Sequence, residues 1–257
     1  MSAKPALRIG CSGYEYEDWR GDLYPADLPK ARWFERYTEV FDTVEVNGTF
    51  YSLPSPETFD RWRTRAPEGF MYALKLSQYG THRKKLKDPE RWVATFTERA
   101  QRLGPTLGPI LAQLPPRWRA DAARLDGFLH VAPTSLRWAV EVRDPSWLHS
   151  DVYDVLRRHN AALVMHDLIT DHPRLVTADW VYLRFHGPGA SEDVGQSYTG
   201  GYSHQALSAV ARQIREHLAQ GRDVYAYFNN DIGGHAVRDA QSLRRYVVSQ
   251  PDEKRRR

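Results

Sequence analysis

The sequence predicts an α/β chain folded as a TIM-type (β/α)8 barrel with an incomplete sixth helix. Three observations carry that expectation. Eight short runs rich in β-branched, aromatic and aliphatic residues recur along the chain, helix-like segments separate most of them, and 257 residues is the usual size of such a barrel. The candidate strands begin near Arg8, Thr43, Met71, Pro109, Arg137, Ala162, Trp180 and Val224. The segments Arg32–Val40, Pro56–Arg65, Pro89–Leu103, Asp151–His159, Ser203–Gln220 and Ala236–Val248 read as helices. Pro56 and Pro89 suit a first helical turn, and Gly104 and Gly221 suit a helix end. From Leu168 to Asp179 the chain is near the minimum for a crossover, so the sixth helix is expected to be missing. No repeat or linker divides the chain. Residues 1–250 are read as one barrel domain and residues 251–257 as a basic, disordered tail.

Composition excludes several classes. Apolar residues make up 41% and charged residues 26%, as in ordinary globular chains. No apolar run is long enough to span a bilayer, and the first residues lack the apolar core of a signal peptide. A single cysteine, Cys11, leaves no disulfide framework, which points to a cytoplasmic location. The net charge of +4 is matched by the four basic residues Lys254 to Arg257, so global charge names no nucleic-acid partner.

Period-two alternation then sorts side chains by face. Val44 and Val46 oppose Glu45 and Asn47; Leu74 and Leu76 oppose Ala73 and Lys75; Val140 and Val142 oppose Glu141 and Arg143; Val181, Leu183 and Phe185 oppose Tyr182, Arg184 and His186. Leu114 opposes Gln113. In a barrel the apolar set faces the helices, which sends the polar set inward. These polar residues sit late in their strands, at the carboxyl-terminal mouth where barrel active sites lie. Met71, Leu111 and Ala139, earlier on the inward face, suit a packed floor.

Glu45 and Glu141 are therefore the candidate base and acid, with Lys75 and His186 beside them. Asn47, Tyr51, Gln113, Arg143, Trp147, Arg184, Asn229 and Asp231 are the candidate substrate-binding residues. Trp19, Trp118 and Trp147, with Phe50 and Tyr51 just after the second strand, are read as mouth-side aromatics of a small-molecule pocket. Arg184, His186, Gly233, Gly234 and His235 form a candidate anion site, because glycines and a helix start after the last strands hold phosphate in many barrels. The long glycine-containing loop from Gly187 to Tyr202, with glycines at 195, 200 and 201, is read as anion-binding or as a lid.

Other chemistries find less support. Glu45, Glu141, His166, Asp167, His186 and Asp231 offer oxygen and nitrogen ligands, but no metal-site spacing occurs and Lys75, Arg143 and Arg184 interleave with them, so no metal is expected. Ser12 is not in a nucleophile elbow, and Cys11 faces outward with Ile9. No nucleotide fingerprint is present and no cofactor is expected. The leading reading is an enzyme, a hydrolase or isomerase acting on a small phosphorylated or sugar-like molecule. A nucleic-acid-binding or nuclease-like barrel, and a non-catalytic ligand sensor, are the alternatives.

Several motifs resemble a known family. Ile9-Gly10-Cys11-Ser12-Gly13-Tyr14 with Trp19 and Tyr24-Pro25 open the likeness, followed by Phe41 to Asn47 and Thr49-Phe50-Tyr51. Lys75 with Thr81-His82, Gly108 to Pro116, Val140 to Arg143 with Trp147, Tyr182 to Gly187 and Tyr227 to Asp231 complete it in the same order. The chain is similar to the YecE-like family (domain of unknown function 72) from about Leu7 to Tyr246. Cys11 stands where that family often has threonine. The resemblance implies a TIM-type barrel and implies no established reaction.

Overall fold

The computed structural model describes residues 4–190 and 198–249. The strands are β1 (Leu7–Ser12), β2 (Thr43–Val46), β3 (Met71–Lys75), β4 (Leu107–Gln113), β5 (Trp138–Glu141), β6 (Ala162–Leu163), β7 (Met165–His166), β8 (Trp180–Phe185) and β9 (Asp223–Phe228). All pair in parallel, in the order β6-β5-β4-β3-β2-β1-β9-β8-β7. The two ends of that order, β6 and β7, are consecutive pieces of one run interrupted at Val164, so the sheet curls into a barrel. β6 follows β5, β7 follows β8, and the Val164 amide still donates to the Val140 carbonyl.

The helices are α1 (Trp33–Val40), α2 (Gly48–Tyr51), α3 (Pro56–Arg65), α4 (Pro89–Gln101), α5 (Ala122–Val131), α6 (Ser150–Arg158), α7 (His204–Ala219) and α8 (His235–Val248). Pro56 and Pro89 occupy first turns, the Ser203 hydroxyl accepts the Ala206 amide, and Gly221 follows α7 at φ +78°. No helix lies between β7 and β8, as expected from the short connection. Helix α5 was not expected. Apolar residues surround it on most sides and Gly127 interrupts it, so its sequence shows little amphipathic contrast; Asp121 caps it through the Arg124 amide.

Two apolar layers result. The outer one, between strands and helices, takes Ile9, Cys11, Val44, Leu74, Val140, Leu183 and Phe228. The inner one fills the barrel with Ala73, Leu111, Ala139, Ala162 and Val164 from one side and Trp180, Tyr182, Tyr225 and Tyr227 from the other. Small residues face large rings, which is how a tilted barrel fills its interior without a void. Met71 packs against this inner set. Near the amino-terminal end Arg137 lies over the Trp180 and Tyr225 rings and pairs with Asp223 at 2.6 Å. With the floor closed, only the carboxyl-terminal ends of the strands are left to hold a site. Among the described residues no helix is long and apolar enough to cross a membrane.

Candidate active site

Above the inner rings the strand ends carry charge instead of hydrocarbon. Arg184 on β8 is 1% exposed and Glu45 on β2 is fully buried. The guanidinium spans the barrel: Nη2 and Nε reach Glu45 Oε1 at 2.7 and 3.1 Å, and Nη1 reaches Glu141 Oε2 on β5 at 2.7 Å. The Tyr182 hydroxyl donates to Glu45 Oε2 at 2.6 Å, and Ser12 Oγ donates to Glu45 Oε1. Ser12 Oγ in turn accepts from Asn47 Nδ2 at 2.8 Å and from Arg184 Nη2 at 3.2 Å. Arg143, just past β5, pairs through Nε with Glu141 Oε1. Two buried carboxylates thus meet two buried guanidinia, and their charges cancel. Such a set is tolerable away from water only because every oxygen is hydrogen-bonded.

Those bonds decide what each group can do. Burial alone would raise the Glu141 carboxyl, but the guanidinia of Arg143 and Arg184 outweigh it and hold it well below the usual carboxylate range. A carboxylate so stabilised is a poor proton acceptor. His186 is buried too, with Nδ1 3.0 Å from Asp167 Oδ1 and Nε2 3.2 Å from Arg184 Nη1. The guanidinium can only donate, so Nε2 accepts and Nδ1 carries the proton. Burial lowers this imidazole, against the pull of Asp167, so it stays neutral and positions Arg184. Asp167 also accepts the Tyr202 hydroxyl and the His186 amide.

Lys75, at the end of β3, is different. Among the described residues it makes no hydrogen bond or ion pair; its Nζ lies over the Phe50 ring, 4.4 Å from the centroid. Helix α2 brings that ring there because the Thr49 hydroxyl donates to the Lys75 carbonyl at 2.6 Å. Burial, with Arg184 next and Arg143 adding to it, brings the ammonium from its usual 10.5 to about 7, while Glu141 and Glu45 oppose the shift. A one-turn π-helix at Tyr79–Arg83 carries His82 against Phe50, edge to face with centroids 5.0 Å apart. Burial and the charges of Lys75 and Arg143 lower His82 to about 4. Three non-glycine residues with positive φ follow, Lys85, Leu86 and Asp88, so the segment after β3 is the most strained stretch near the mouth.

Asp231, after β9, is buried and is raised to about 8 by burial, against the Tyr16 hydroxyl and Arg184. Its Oδ1 and the Asn47 Oδ1 have no hydrogen-bond partner among the described residues. Gln113 lies beside Glu141 in register and makes only a long contact to the Leu114 carbonyl, 3.4 Å. Asn229 is buried, its amide donating to the Phe185 carbonyl at 2.7 Å.

Other expectations need correction. Trp147 is fully buried, its indole donates to the Trp118 carbonyl, and its ring packs edge-on against Trp118; it is core, not pocket wall. Trp19 is equally buried. Tyr51 is 72% exposed, and its neighbour Phe50 is the ring over Lys75. The expected anion site is filled by the chain's own carboxylates. The Gly233 amide donates to Asp18 at 3.0 Å, Asp22 lies against Gly234 and pairs with Arg238, and the Gly234 amide is held by the Asp231 carbonyl. Arg184, the intended cation, is spent on Glu45 and Glu141. His166 is a satisfied core imidazole, bonded to the Val142 carbonyl and the Leu168 amide. Among the described residues no three His, Cys, Asp or Glu side chains are grouped to hold a metal ion. Of the loop from Gly187 to Tyr202, residues 191–197, Gly195 included, lie outside the described residues, as does the tail 251–257.

Ser12, Tyr182, Asp167 and His82 are not among the catalytic, substrate-binding or anion-site residues the sequence suggests, whereas Phe50 is among its expected pocket aromatics. Period two would have found Ser12, since Cys11 faces outward, and Tyr182 shares the inward face of Arg184. Nothing in the sequence signals the π-turn that delivers His82. A cleft of about 470 Å³, lined by Leu76, Tyr79, Gly80, Lys84, Trp92 and Phe96 among others, opens beside this turn. None of the clustered charged side chains of the mouth lines it.

With this geometry in view, the family profile described as "Protein of unknown function DUF72" matches residues 8–256. The chain belongs to the DUF72 family. It is 32% identical over 114 residues to the UPF0759 protein YecE of Escherichia coli K12, a match covering 44% of this chain and 42% of YecE, so the chain spans less than half of that relative. It is 23% identical over 266 residues to the UPF0759 protein YunF of Bacillus subtilis 168, covering 92% of this chain and 93% of YunF. The crystal structure of a DUF72 protein from Thermotoga maritima MSB8 superposes with a TM-score of 0.84 at 28% identity, covering 95% of this chain and all of that one. A DUF72 protein from Enterococcus faecalis V583, at 19% identity and a TM-score of 0.80, covering 96% and 97%, shares the fold. The barrel is thus the DUF72 fold.

Proposed function

We propose that the chain is an enzyme that uses proton transfer and electrostatic stabilisation on a small sugar-like molecule at the barrel mouth, with Lys75 as the group that gives and takes the proton. One observation carries this reading: a largely buried lysine without an ion-pair partner among the described residues, beside two carboxylates, Glu45 and Glu141, that are already paired with Arg184 and Arg143. A structural belt has no use for an extra unpaired cation, which costs stability, whereas a catalyst working near neutrality needs such a group. Glu45, Glu141, Arg143 and Arg184 then act as a fixed electrostatic frame, preorganised because each is already held by the others. Asn47 and Gln113 present amide groups to hydroxyls. With the Gly233 amide and Arg184 both occupied, nothing remaining there favours a phosphate over an uncharged polyol.

The test is a proton-NMR screen of aldoses, ketoses and their phosphates incubated with wild type and Lys75→Met. At least one compound should change with wild type, and about 10²-fold or more of that rate should be lost in the variant. Below about pH 7 the rate should fall as the amine takes up its proton. A screen in which no compound changes, or in which the variant keeps the full rate, contradicts the proposal.

A further inference from the structure

We infer that Lys75 forms a covalent imine with the carbonyl carbon of a small hydroxy-aldehyde or hydroxy-ketone. The inference rests on the reading of the mouth as an enzyme site and names its substrate class. It stands first on placement. Lys75 ends β3 at the carboxyl-terminal end of the barrel, and its Nζ sits on the Phe50 ring with no hydrogen bond to it from the described residues. A lysine meant to hold an anion would be expected among donors with spare capacity; here Arg184 already serves Glu45 and Glu141, and Arg143 pairs with Glu141. An amine taken out of water beside guanidinia is the arrangement that activates lysine as a nucleophile, and these effects outweigh the attraction of the Phe50 face for the ammonium. The groups facing it are Arg184, Glu141, Glu45, Arg143 and His82, and the cations among them favour its neutral form.

The second observation concerns what the carbonyl compound must carry. Asn47 Oδ1 is buried with no donor supplied by the described residues, although its own Nδ2 is fixed on Ser12 Oγ, which belongs to the same network as Glu45 and Arg184. A buried amide oxygen without a donor is costly unless a ligand completes it. A hydroxyl on the carbonyl compound would supply the missing donor, which is the ground for choosing a hydroxylated substrate.

The step balances without an oxidant or a metal. The neutral amine adds to the carbonyl carbon, and one nitrogen-bound proton passes to the carbonyl oxygen, giving a carbinolamine. The carbon–oxygen bond then breaks, the oxygen takes one proton from solvent and leaves as water, and the nitrogen lone pair forms the iminium bond. The neighbouring carbon–hydrogen or carbon–carbon bond is then weakened toward proton loss or cleavage.

The experiment treats the full chain at pH 7 with glycolaldehyde or dihydroxyacetone and sodium cyanoborohydride, which delivers hydride to the iminium carbon and fixes the adduct. Intact mass and peptide mapping read the site. At pH 7 about half of Lys75 is the free amine, against less than one in a thousand for an ordinary lysine, so even a weaker intrinsic nucleophile should label about 100-fold faster than the remaining lysines. Lys75→Met should lose that fast phase, and Lys84→Met, on the exposed turn, should keep it. Labelling spread evenly over the lysines, or sparing Lys75, overturns the imine. If Lys75 is spared while the NMR screen still finds a Lys75-dependent conversion, the imine fails and the proton-transfer reading stands. A fast adduct at Lys75 with no conversion supports the imine and counts against that broader reading.

Discussion

Replacing Arg184 with methionine is expected to destabilise the fold by about 3–5 kcal/mol, the cost of leaving a buried ion cluster without its central cation. Arg184 is the only described side chain that reaches both Glu45 and Glu141, which are themselves fully buried. Without it, Glu45 keeps Tyr182 and Ser12, and Glu141 keeps Arg143, but a negative charge is left uncompensated. Urea unfolding at pH 7 measures the loss directly. If charge is the cause, the double variant Glu45→Gln, Arg184→Met should recover most of it, because one charge of each sign is removed and Glu141 stays paired with Arg143. Arg184→Met with wild-type stability, or a double variant less stable than the single, contradicts this account.

Lys75→Met should act in the opposite direction. In the folded chain Lys75 titrates near 7, whereas in the unfolded chain it titrates near 10.5. Between these values the unfolded chain holds a proton that the folded chain has lost, so the contribution of this group makes wild-type stability rise with pH across the window. Below about pH 7 the cost of the buried ammonium is present in full. The methionine variant has no such proton and should exceed wild type at pH 6.5 by about 1–3 kcal/mol, after discounting for solvent at the mouth, or about 2–4 °C in Tm per kcal/mol. The advantage should shrink steadily toward pH 10. Equal stability of the two proteins at every pH is the contrary result.

Where regular alternation governs the backbone, the sequence was legible. Glu45, Lys75, Glu141 and Arg184 lie on strands, and a period of two leaves only one face for them once Val44, Leu74, Val140 and Leu183 are given to the helices. The missing sixth helix was legible from chain length alone. Loop residues obey no period, and there composition misled. Trp147 looked like a pocket wall because nothing local reveals that its indole donates to the Trp118 carbonyl. Gly233 and Gly234 resembled an anion cradle, but Asp18 and Asp22, more than 200 residues earlier, lie against them. The interruption at Val164 is likewise set by which neighbour each half of the run pairs with, a property of barrel closure and not of the residue. The roles inside the cluster were the least legible part. Sequence can place two glutamates in one mouth, but only distances show Glu141 pinned by Arg143 and Arg184 and Lys75 without an ion-pair partner among the described residues.

The ionisation state of Lys75 is the central claim, and it can be read without knowing any substrate. Lysine labelled with ¹³C at Cε gives one resonance for each of the few lysines of this chain, and Lys75→Met assigns the one of interest. Followed from pH 5 to 11, that resonance should titrate with a midpoint near 7 while the others titrate near 10.4. A Lys75 midpoint near 10.4, among the rest, would show an ordinary ammonium in the mouth and contradict the account.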